Sequence, residues 1–377
     1  MATVQIGLIG MGTVGQAVVE LNRPWAGLDF HFVKACVRRA DRPRPLPIPL
    51  TQDPMEIIDD PALDIIVEVA GGREEPLAWI GRALANGKAV VTANKEVIAY
   101  HGAELIQKSQ EWDTFFGFEA SVAGGIPVVD TLVTHMSAAP LSDIGGVLNG
   151  TSSYVLTAME NGMALSEAIS QAQLRGYAEA NPENDLKGHD AVRKLVILVW
   201  LAWGVWLSPD QILREGLQDY PVDLLHRLAR KGLHVRPWAW AHRDAEGTIK
   251  AAVGPAVVSK GHPAFSLKGA QNGVEIRGQA GTFWLQGPGA GGVATATSVW
   301  ADIHRSQRLK SPLLALAPGS RAFVTGSPHE RYVVAAHDPD RDLSGTLLGP
   351  GMAVQDEPPA GAEGLSVFPL INGSADG

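Results

Sequence analysis

The apolar positions of the first 130 residues alternate between short strand-like runs and helical spacing. The run at 63–70 lacks an every-second-residue alternation, as expected of a parallel strand covered on both faces. Strands are predicted at 4–9, 30–37, 63–70 and 89–93, and helices at 12–21 and 74–86. This alternation predicts a doubly wound α/β unit with a parallel sheet.

The pattern changes beyond Asn149 and predicts a second domain of α+β type. Helical spacing predicts helices at 151–161, 166–175, 189–205 and 220–229. Strand-like runs follow at 249–258, 273–277 and 281–286, and a last helix at 292–304 follows a glycine-rich stretch. The part at 195–205 is too short to cross a membrane and is expected to be a buried, Trp-rich helix.

The last 72 residues, 306–377, are rich in Pro, Gly, Ser and Asp. Short apolar runs at 322–325 and 332–336 interrupt this composition, and the second could form a short strand. We expect a partly ordered extension of unknown role that becomes disordered near Pro358.

Composition and charge narrow the classes of protein. A chain of 377 residues with 45% hydrophobic and 19% charged residues suits two globular domains. The net charge of -9, without a basic run, argues against nucleic acid as the main ligand. A single cysteine, Cys36, excludes a disulfide within the chain and suits a reducing cytosol. No signal peptide or membrane span is evident, so a cytoplasmic location is expected.

A glycine-rich turn joins the first predicted strand to the first predicted helix. Gly10 allows the sharp turn, Gly12 leaves room for a pyrophosphate, and Gly15 lets the helix pack closely on the strand. The pyrophosphate would lie on the free N–H groups at the positive end of the helix. Because the motif stands between a strand and a helix, it favours a Rossmann-type dinucleotide-binding domain over an ordinary glycine turn.

The residues after the second predicted strand bear on the choice between NAD and NADP. An NAD enzyme usually has an acidic residue there that binds the ribose hydroxyls. This chain has Arg38 and Arg39 instead, and its first acid is Asp41, in the following loop. Either the guanidinium groups pair with a 2′-phosphate or both arginines are solvated in a loop. The pattern favours NADP.

Two lysines stand at positions suited to acid–base chemistry. Lys194 follows Asp190 by four residues, so both lie on one face at the start of an apolar helix. Burial would suit this lysine to proton transfer, the neighbouring carboxylate opposes that effect, and a plain surface ion pair is the alternative. Lys95 follows the carboxyl end of a strand, where open α/β sheets bind ligands, although it could simply begin a helix.

Taken together, these segments resemble homoserine dehydrogenases. The matching segments occur in the family's order between residues 4 and about 305, at 7–15, 92–95, 119–122, 149–151, 176–194, 287–291 and 295–296. The glycine turn is shared by many families, whereas 149–151 and 176–194 are much more specific. The chain is therefore identified as a member of this family.

The resemblance implies a reversible reduction of L-aspartate 4-semialdehyde to L-homoserine by NAD(P)H, on the route to threonine and methionine. It makes Lys194 the general acid/base at the reacting oxygen and Lys95 a second lysine near the reacting group. An ammonium group offsets the negative charge that grows on oxygen as hydride adds to the aldehyde carbon. The substrate contacts that the resemblance implies are Glu179, Asp185, Asp190, Asn149, Gly150, Thr151 and Tyr177.

The resemblance also implies cofactor and cation contacts. The expected cofactor residues are Gly10, Met11, Gly12, Thr13, Val14, Gly15, Arg38, Arg39, Ala70, Gly71, Thr92, Lys95, Gly176 and Gly291. A monovalent cation, typically sodium, is implied, with oxygen ligands from Glu119, Val122, Gly124 and Ile126. The alternative for this segment is a plain tight turn before Pro127.

The chain departs from the family pattern in three respects. Asn181 stands where Asp is common, which would soften the polar network around Glu179. Ala123 stands where Gly is common and needs a backbone angle that alanine can adopt. The C-terminal 70 residues lack the pattern of the regulatory domain that longer members carry, so feedback inhibition by threonine through such a domain is not expected.

We expect a dinucleotide-binding domain at 1–140, a catalytic and dimerisation domain at 141–290, a helix at 291–305 that returns to the first domain, and an extension at 306–377. Because the family is usually dimeric through its second domain, the expected partners are a small-molecule substrate and a second copy of the chain. Two alternatives are another amino-acid NAD(P) dehydrogenase, which would not require 176–194, and a non-catalytic dinucleotide sensor, which would lack the lysines.

Overall fold

The chain forms two compact units in the computed structural model. The model describes residues 2–39, 41, 47–217, 220–309, 332–336, 346–349, 352–355 and 365–371. The first unit comprises Met1–Ala138, Val196–Pro209 and Pro288–Arg321, and the second comprises Ala139–Leu195, Asp210–Gly287 and Ala322–Gly377. Residues 196–209, which we expected in the second domain, therefore group with the first unit, and the C-terminal extension groups largely with the second.

Sixteen strands lie in the described residues: β1 (Ala2–Ile9), β2 (Leu28–Cys36), β3 (Leu50–Thr51), β4 (Ile65–Glu68), β5 (Ala89–Thr92), β6 (Phe116–Gly117), β7 (Leu141–Val147), β8 (Leu213–Arg214), β9 (Leu233–Arg243), β10 (Ile249–Ser259), β11 (Gln271–Gly278), β12 (Gly281–Pro288), β13 (Tyr332–Ala336), β14 (Thr346–Gly349), β15 (Met352–Gln355) and β16 (Leu365–Ile371).

The α-helices of the same residues are α1 (Thr13–Glu20), α2 (Met55–Ile58), α3 (Glu74–Ala85), α4 (Lys95–Glu111), α5 (Val128–Asp130), α6 (Gly150–Glu160), α7 (Leu165–Leu174), α8 (Glu183–Leu186), α9 (His189–Trp203), α10 (Val222–Arg230) and α11 (Gly292–Ser306). Short 3₁₀ turns lie at Glu119–Ser121, Pro209–Gln211 and Pro263–Ser266, and a π turn lies at Thr131–His135. No helix in the described part of the chain is long and apolar enough to span a bilayer.

The first unit is built on a parallel sheet with the strand order β3-β2-β1-β4-β5-β6. All four residues of β4 are buried, as expected of a central strand covered on both faces. The strand order reverses beside β1, so a crevice opens at the carboxyl ends of β1 and β4. The predicted doubly wound fold is confirmed.

The second unit is built on a mixed sheet with the order β12-β11-β7-β9-β10-β16-β13-β15-β14, and β8 pairs with β10. Side chains alternate between the two faces of β9 and β10. Val235 and Val257 pack with the helices α6, α7 and α10 in one apolar cluster. Trp238 and Val258 belong to a separate cluster on the opposite face.

The expectation of disorder beyond Pro358 is wrong for 365–371, which form β16. This strand pairs with β10 in parallel and with β13 antiparallel, and Phe368 is 1% exposed against the ring of Tyr220. The polar composition of the whole tail concealed this short apolar run. The strand predicted at 332–336 is confirmed as β13, whereas the run at 322–325 and Pro358 itself lie outside the described residues.

Candidate active site

The glycine turn of the first unit leads from β1 into α1. A Cβ atom on Gly15 would lie 2.1 Å from the carbonyl oxygen of Gly10, so only glycine allows the helix to approach the strand this closely. A Cβ on Gly12 would meet nothing within 4 Å. The space beside Gly12, at the start of α1, is therefore open to a ligand.

A cavity of about 630 Å³ lies over this turn. Of the predicted cofactor residues, it brings together Gly10, Met11, Gly12, Thr13, Arg38, Arg39 and Ala70. Val14, Gly15, Gly71, Thr92, Lys95 and Gly291 belong to the first unit without lining this cavity, and Gly176 belongs to the second unit. The cavity also includes Trp79 of α3, which sequence reasoning missed because one aromatic residue on an amphipathic helix carries no distinct signal.

Glu68 is a second residue of this unit that sequence reasoning missed. It ends β4 with 0% of its surface exposed, and its carboxylate accepts the Ala70 N–H (2.8 Å) and the Thr92 hydroxyl (2.6 Å). Burial raises the pKa of this carboxyl, and the hydrogen bonds oppose the rise. The Asn94 side chain caps α4, which begins at Lys95, and donates to the carbonyl of Gly72 (2.8 Å). These bonds join the loops that follow β4 and β5.

The second unit gathers four predicted substrate and catalytic residues into one polar cluster. The Asn149 side chain caps α6 and donates to the carboxylates of Asp185 and Asp190, both at 2.8 Å. The Lys194 ammonium lies 2.8 Å from Asp190 Oδ2 and donates to the Leu148 carbonyl at 2.7 Å. Asp190 and Lys194 are only 4% and 8% exposed, which excludes a solvated surface ion pair.

Three segments of chain contribute to this cluster. The start of α9 places Asp190 and Lys194 one helical turn apart, and the Ser152 hydroxyl donates to the Asp185 carbonyl oxygen at 2.9 Å. Burial raises the pKa of the Asp185 carboxyl, and the neighbouring Asp190 adds to the rise. The cluster therefore contains a carboxyl group that a bound cation would stabilise in its charged form.

The remaining predicted substrate residues have different surroundings. Thr151 donates to the carbonyl of Tyr177 at 2.5 Å, and Gly150 begins α6. Tyr177 itself is 42% exposed. Glu179 is exposed, and its carboxylate makes no hydrogen bond to the described residues. The structure thus brings Asn149, Asp185, Asp190 and Lys194 together and leaves Glu179 outside this cluster.

The segment predicted to hold a cation is a buried turn in the first unit. Ala123 and Gly124 both have left-handed φ angles, +57° and +60°, so alanine adopts the glycine-like angle that this turn requires. The Glu119 carboxylate accepts the N–H groups of Val129 (2.9 Å) and Asp130 (2.8 Å). Burial, with Asp302 nearby, raises the pKa of Glu119 to about 7. The donor set is oxygen-only, which suits a hard cation.

The carbonyl oxygens of this turn already have protein partners. Gly124 O accepts from Ser298 Oγ at 2.6 Å, and Ile126 O accepts from the Val128 N–H at 2.8 Å. A carbonyl oxygen has two lone pairs, so these bonds leave room for a further ligand. No group of three or more His, Cys, Asp or Glu side chains suited to a metal ion lies in the described ranges.

Comparison with known proteins decides the family. A homoserine dehydrogenase family model matches residues 127–304, and the NAD-binding domain model of the same family matches residues 10–119. A homoserine dehydrogenase of Helicobacter pylori is 37% identical over 318 residues, which cover 82% of this chain and 75% of the relative. The chain belongs to the homoserine dehydrogenase family. It is accordingly an NAD(P)-dependent oxidoreductase.

Other relatives agree in sequence and in structure. The Bacillus subtilis homoserine dehydrogenase is 33% identical over 339 residues, which cover 87% of this chain and 76% of the relative. A solved structure of the Thiobacillus denitrificans homoserine dehydrogenase has a TM-score of 0.82 at 33% identity, covering 90% of this chain and 84% of that one. A hyperthermophilic archaeal homoserine dehydrogenase mutant in complex with NADPH has a TM-score of 0.69 at 28% identity, covering 83% of this chain and 99% of that one.

Proposed function

We propose that this chain interconverts L-homoserine and L-aspartate 4-semialdehyde with NADP(H), as a step of threonine and methionine biosynthesis in the cytoplasm. The observation that carries the proposal is the cluster of the buried Asn149, Asp190 and Lys194 with the half-buried Asp185. It combines a lysine, which can donate a proton to an oxygen, with carboxylates, which suit the α-ammonium group of an amino acid. The cluster thus offers a proton donor to the reacting oxygen of the substrate and a negative charge to its α-ammonium group.

Lys194 is proposed as the general acid/base. Its ammonium group has three N–H bonds, of which one faces Asp190 Oδ2 and one the Leu148 carbonyl. The third has no partner among the described residues and is the proton that Lys194 gives to the carbonyl oxygen during reduction. When bound, the nicotinamide supplies the hydride to the aldehyde carbon. In the oxidation direction Lys194 takes the hydroxyl proton back.

The carboxylates are proposed to have two different roles. Asp190 holds Lys194 in place, and Asp185, with Glu179 as an exposed second carboxylate, binds the substrate α-ammonium. Asn149 bridges Asp185 and Asp190 by donating one N–H to each. Gly150, Thr151 and Tyr177 are proposed to line the same substrate site, and Lys95, the first residue of α4, is proposed as a second lysine in the reaction.

The preference for NADP rests on Arg38 and Arg39. Both line the cavity over the glycine turn, and none of the described residues in its lining is acidic. Guanidinium groups bind a phosphate through two parallel hydrogen bonds, whereas the ribose hydroxyls of NAD favour a carboxylate. One structural neighbour, a mutant of a hyperthermophilic archaeal homoserine dehydrogenase, is in complex with NADPH. These observations favour the 2′-phosphate as the group that Arg38 and Arg39 bind.

A monovalent cation is proposed for the turn at 122–126, with Glu119, Val122, Gly124 and Ile126 as its oxygen ligands. The buried Glu119 carboxyl and the two successive left-handed residues support this proposal. Its role is to hold the turn rather than to take part in the chemistry. The thermal midpoint should therefore rise in NaCl relative to an equal concentration of tetramethylammonium chloride, and an equal midpoint in both salts would contradict the site.

A homodimer through the second unit is also proposed. The face of its sheet opposite the helices carries the half-buried Trp240, Phe265 and Trp284 around the buried Trp238. Aromatic side chains of this kind are typical of protein interfaces. Sedimentation equilibrium should give a mass of twice 40.0 kDa. A Trp240→Glu, Trp284→Glu variant should give a monomer, and a wild-type monomer at all concentrations would contradict the proposal.

The activity is tested by following the nicotinamide absorbance band during oxidation of homoserine with NADP⁺. Wild-type protein should be active, and Lys194→Ala should lose about 10²–10⁴-fold in kcat. Lys187→Ala is the matched control, because Lys187 is 60% exposed and pairs with Glu183 at the same four-residue spacing. Absence of homoserine oxidation by the wild type with either cofactor would contradict the proposed reaction.

A further inference from the structure

Asn272 is a buried polar residue that approaches the cluster around Lys194 from the sheet. It lies next to the start of the paired register of β11 and β7, in which Gly273 pairs with Val147, so its side chain reaches the carbonyl of Leu148. The Asn272 Nδ2 atom donates to that carbonyl at 2.9 Å, and Lys194 Nζ donates to the same oxygen at 2.7 Å. Asn272 and the proposed acid/base thus share one acceptor.

The other end of this amide lacks a partner. Asn272 is 0% exposed, and its Oδ1 atom accepts no hydrogen bond from the described residues. Turning the amide over would point Oδ1 at the Leu148 oxygen, acceptor against acceptor, so the bond to Leu148 fixes the present orientation. A buried acceptor without a partner lowers the stability of the folded state, and an apolar side chain of similar size would avoid this cost. Folding alone therefore gives no reason for asparagine here.

We propose that Asn272 is a positioning residue for the reaction, which it serves by fixing the Leu148 carbonyl that holds Lys194. With Asn272 Nδ2 and Lys194 Nζ both donating to it, the Leu148 carbonyl oxygen is held in one orientation relative to the ammonium group. That arrangement directs the third N–H of Lys194, the one proposed to reach the substrate oxygen. Without Asn272, the Leu148 carbonyl and the Lys194 side chain gain freedom, and fewer enzyme molecules hold the ammonium group in the productive direction.

The proposal rests on the proposed role of Lys194. One measurement distinguishes a positioning role of Asn272 from a purely structural one. An asparagine kept for stability would lower both the thermal midpoint and kcat when replaced. Replacing an asparagine that positions Lys194 and has an unpartnered oxygen should lower kcat, while the thermal midpoint stays constant or rises. Stability and activity therefore need to be measured together on the same variant.

The test is Asn272→Leu, which keeps the approximate size and removes both polar atoms. We expect kcat for homoserine oxidation to fall at least tenfold, with the thermal midpoint equal to or above that of the wild type. The dissociation constant of NADPH should stay within twofold, because the cofactor cavity belongs to the first unit. If Asn272→Leu does not fold, Asn272→Ala removes the same amide without adding bulk and should show the same loss of kcat.

Asn161→Leu is the matched control, because the Asn161 side chain also donates to a backbone carbonyl, that of Thr157 at 2.8 Å, on an exposed turn of the same unit. It should leave kcat within twofold of the wild type. A kcat within twofold in the Asn272 variants, or a loss matched by a lower midpoint, would overturn the inference. If the wild type oxidises homoserine and only Lys194→Ala is inactive, the inference fails while the proposed function stands.

Discussion

The candidate sites of the two units differ in the residues that form them. In the first unit the site is a cavity over the glycine turn, which is open beside Gly12 and whose lining includes Arg38 and Trp79. In the second unit it consists of buried and half-buried side chains from three segments, joined by direct hydrogen bonds. The glycine turn of the first suits a dinucleotide, whereas the second has the charges to bind an amino acid. Substitutions in each unit should therefore impair different ligands.

The largest effect in the second unit other than that of Lys194 is expected from Asp190→Asn. It leaves the shape intact but removes the carboxylate charge beside the Lys194 ammonium. We expect kcat for homoserine oxidation to fall about 100-fold, toward the low end of what general acid catalysis contributes. The KM for NADP⁺ should hardly change. Steady-state kinetics with each substrate varied in turn measures both quantities.

Asp223→Asn provides the control for this charge removal. Asp223 also pairs with a basic residue four positions later, Arg227, but is 78% exposed. It should leave both constants unchanged. Equal kcat in Asp190→Asn and the wild type would show that the buried pair does not hold the catalytic lysine.

An intermediate effect, on the cofactor side, is expected from the double variant Arg38→Ala, Arg39→Ala. Loss of charge-assisted hydrogen bonds to the 2′-phosphate should weaken NADPH binding about 20-fold. NADH, which lacks that phosphate, should bind within twofold of its wild-type affinity, and the KM for homoserine should not change. Fluorescence titration with both reduced cofactors distinguishes these outcomes.

Arg82→Ala serves as the control for this variant, since Arg82 lies in the first unit and pairs with Asp59 at 2.7 Å outside the cavity. Equal losses for NADPH and NADH in the double variant would show that the arginines do not recognise the 2′-phosphate. That result would contradict the preference for NADP, but not the assignment of the cofactor to the first unit and of the substrate to the second.

The smallest effect concerns Glu215 of the second unit, an exposed residue that lies outside the cluster. Partial burial of its carboxyl raises the pKa of Glu215, so its charged form is penalised in the folded state. The stability that this group contributes at low pH is therefore lost as the pH rises through its folded pKa. Glu215→Gln should unfold at the wild-type midpoint near pH 4 and about 2 °C above it at pH 8. Glu246→Gln, at an exposed position, should match the wild type at both pH values.

Calorimetry at both pH values measures this difference. A Glu215→Gln midpoint below that of the wild type at pH 8 would show that the charged carboxylate is stabilised by its surroundings. The Tyr220 hydroxyl donates to the Glu215 carboxylate at 3.4 Å, and neither residue belongs to the proposed substrate site, so the variant should keep full activity at pH 8.

The parallel sheet and the cofactor turn could be predicted from the sequence because their signals are local. A buried central strand such as β4 reads as an apolar run, and the turn at 10–15 needs glycines at fixed spacing. The strands β7 and β9 escaped prediction. Two glycines, Gly145 and Gly146, interrupt the first, and Pro237 with several basic residues breaks the apolar pattern of the second.

The polar cluster could be predicted only in part. Asp190 and Lys194 lie one helical turn apart, so their pairing follows from local spacing. The contribution of Asn149 came from the family resemblance, because no local rule places it beside Asp185. Glu68 and Asn272 were missed because each interacts with residues far away in the sequence, and a single buried polar residue gives no periodic signal.

The division of labour between the units is tested most directly by two measurements on Lys194→Ala, the rate of homoserine oxidation and the affinity for NADPH. The account predicts a kcat at least about 100-fold below that of the wild type. It also predicts an NADPH dissociation constant within twofold of the wild-type value, because Lys194 belongs to the second unit and the cofactor cavity to the first. Unchanged kcat, or a loss of NADPH affinity as large as the loss of rate, would contradict it.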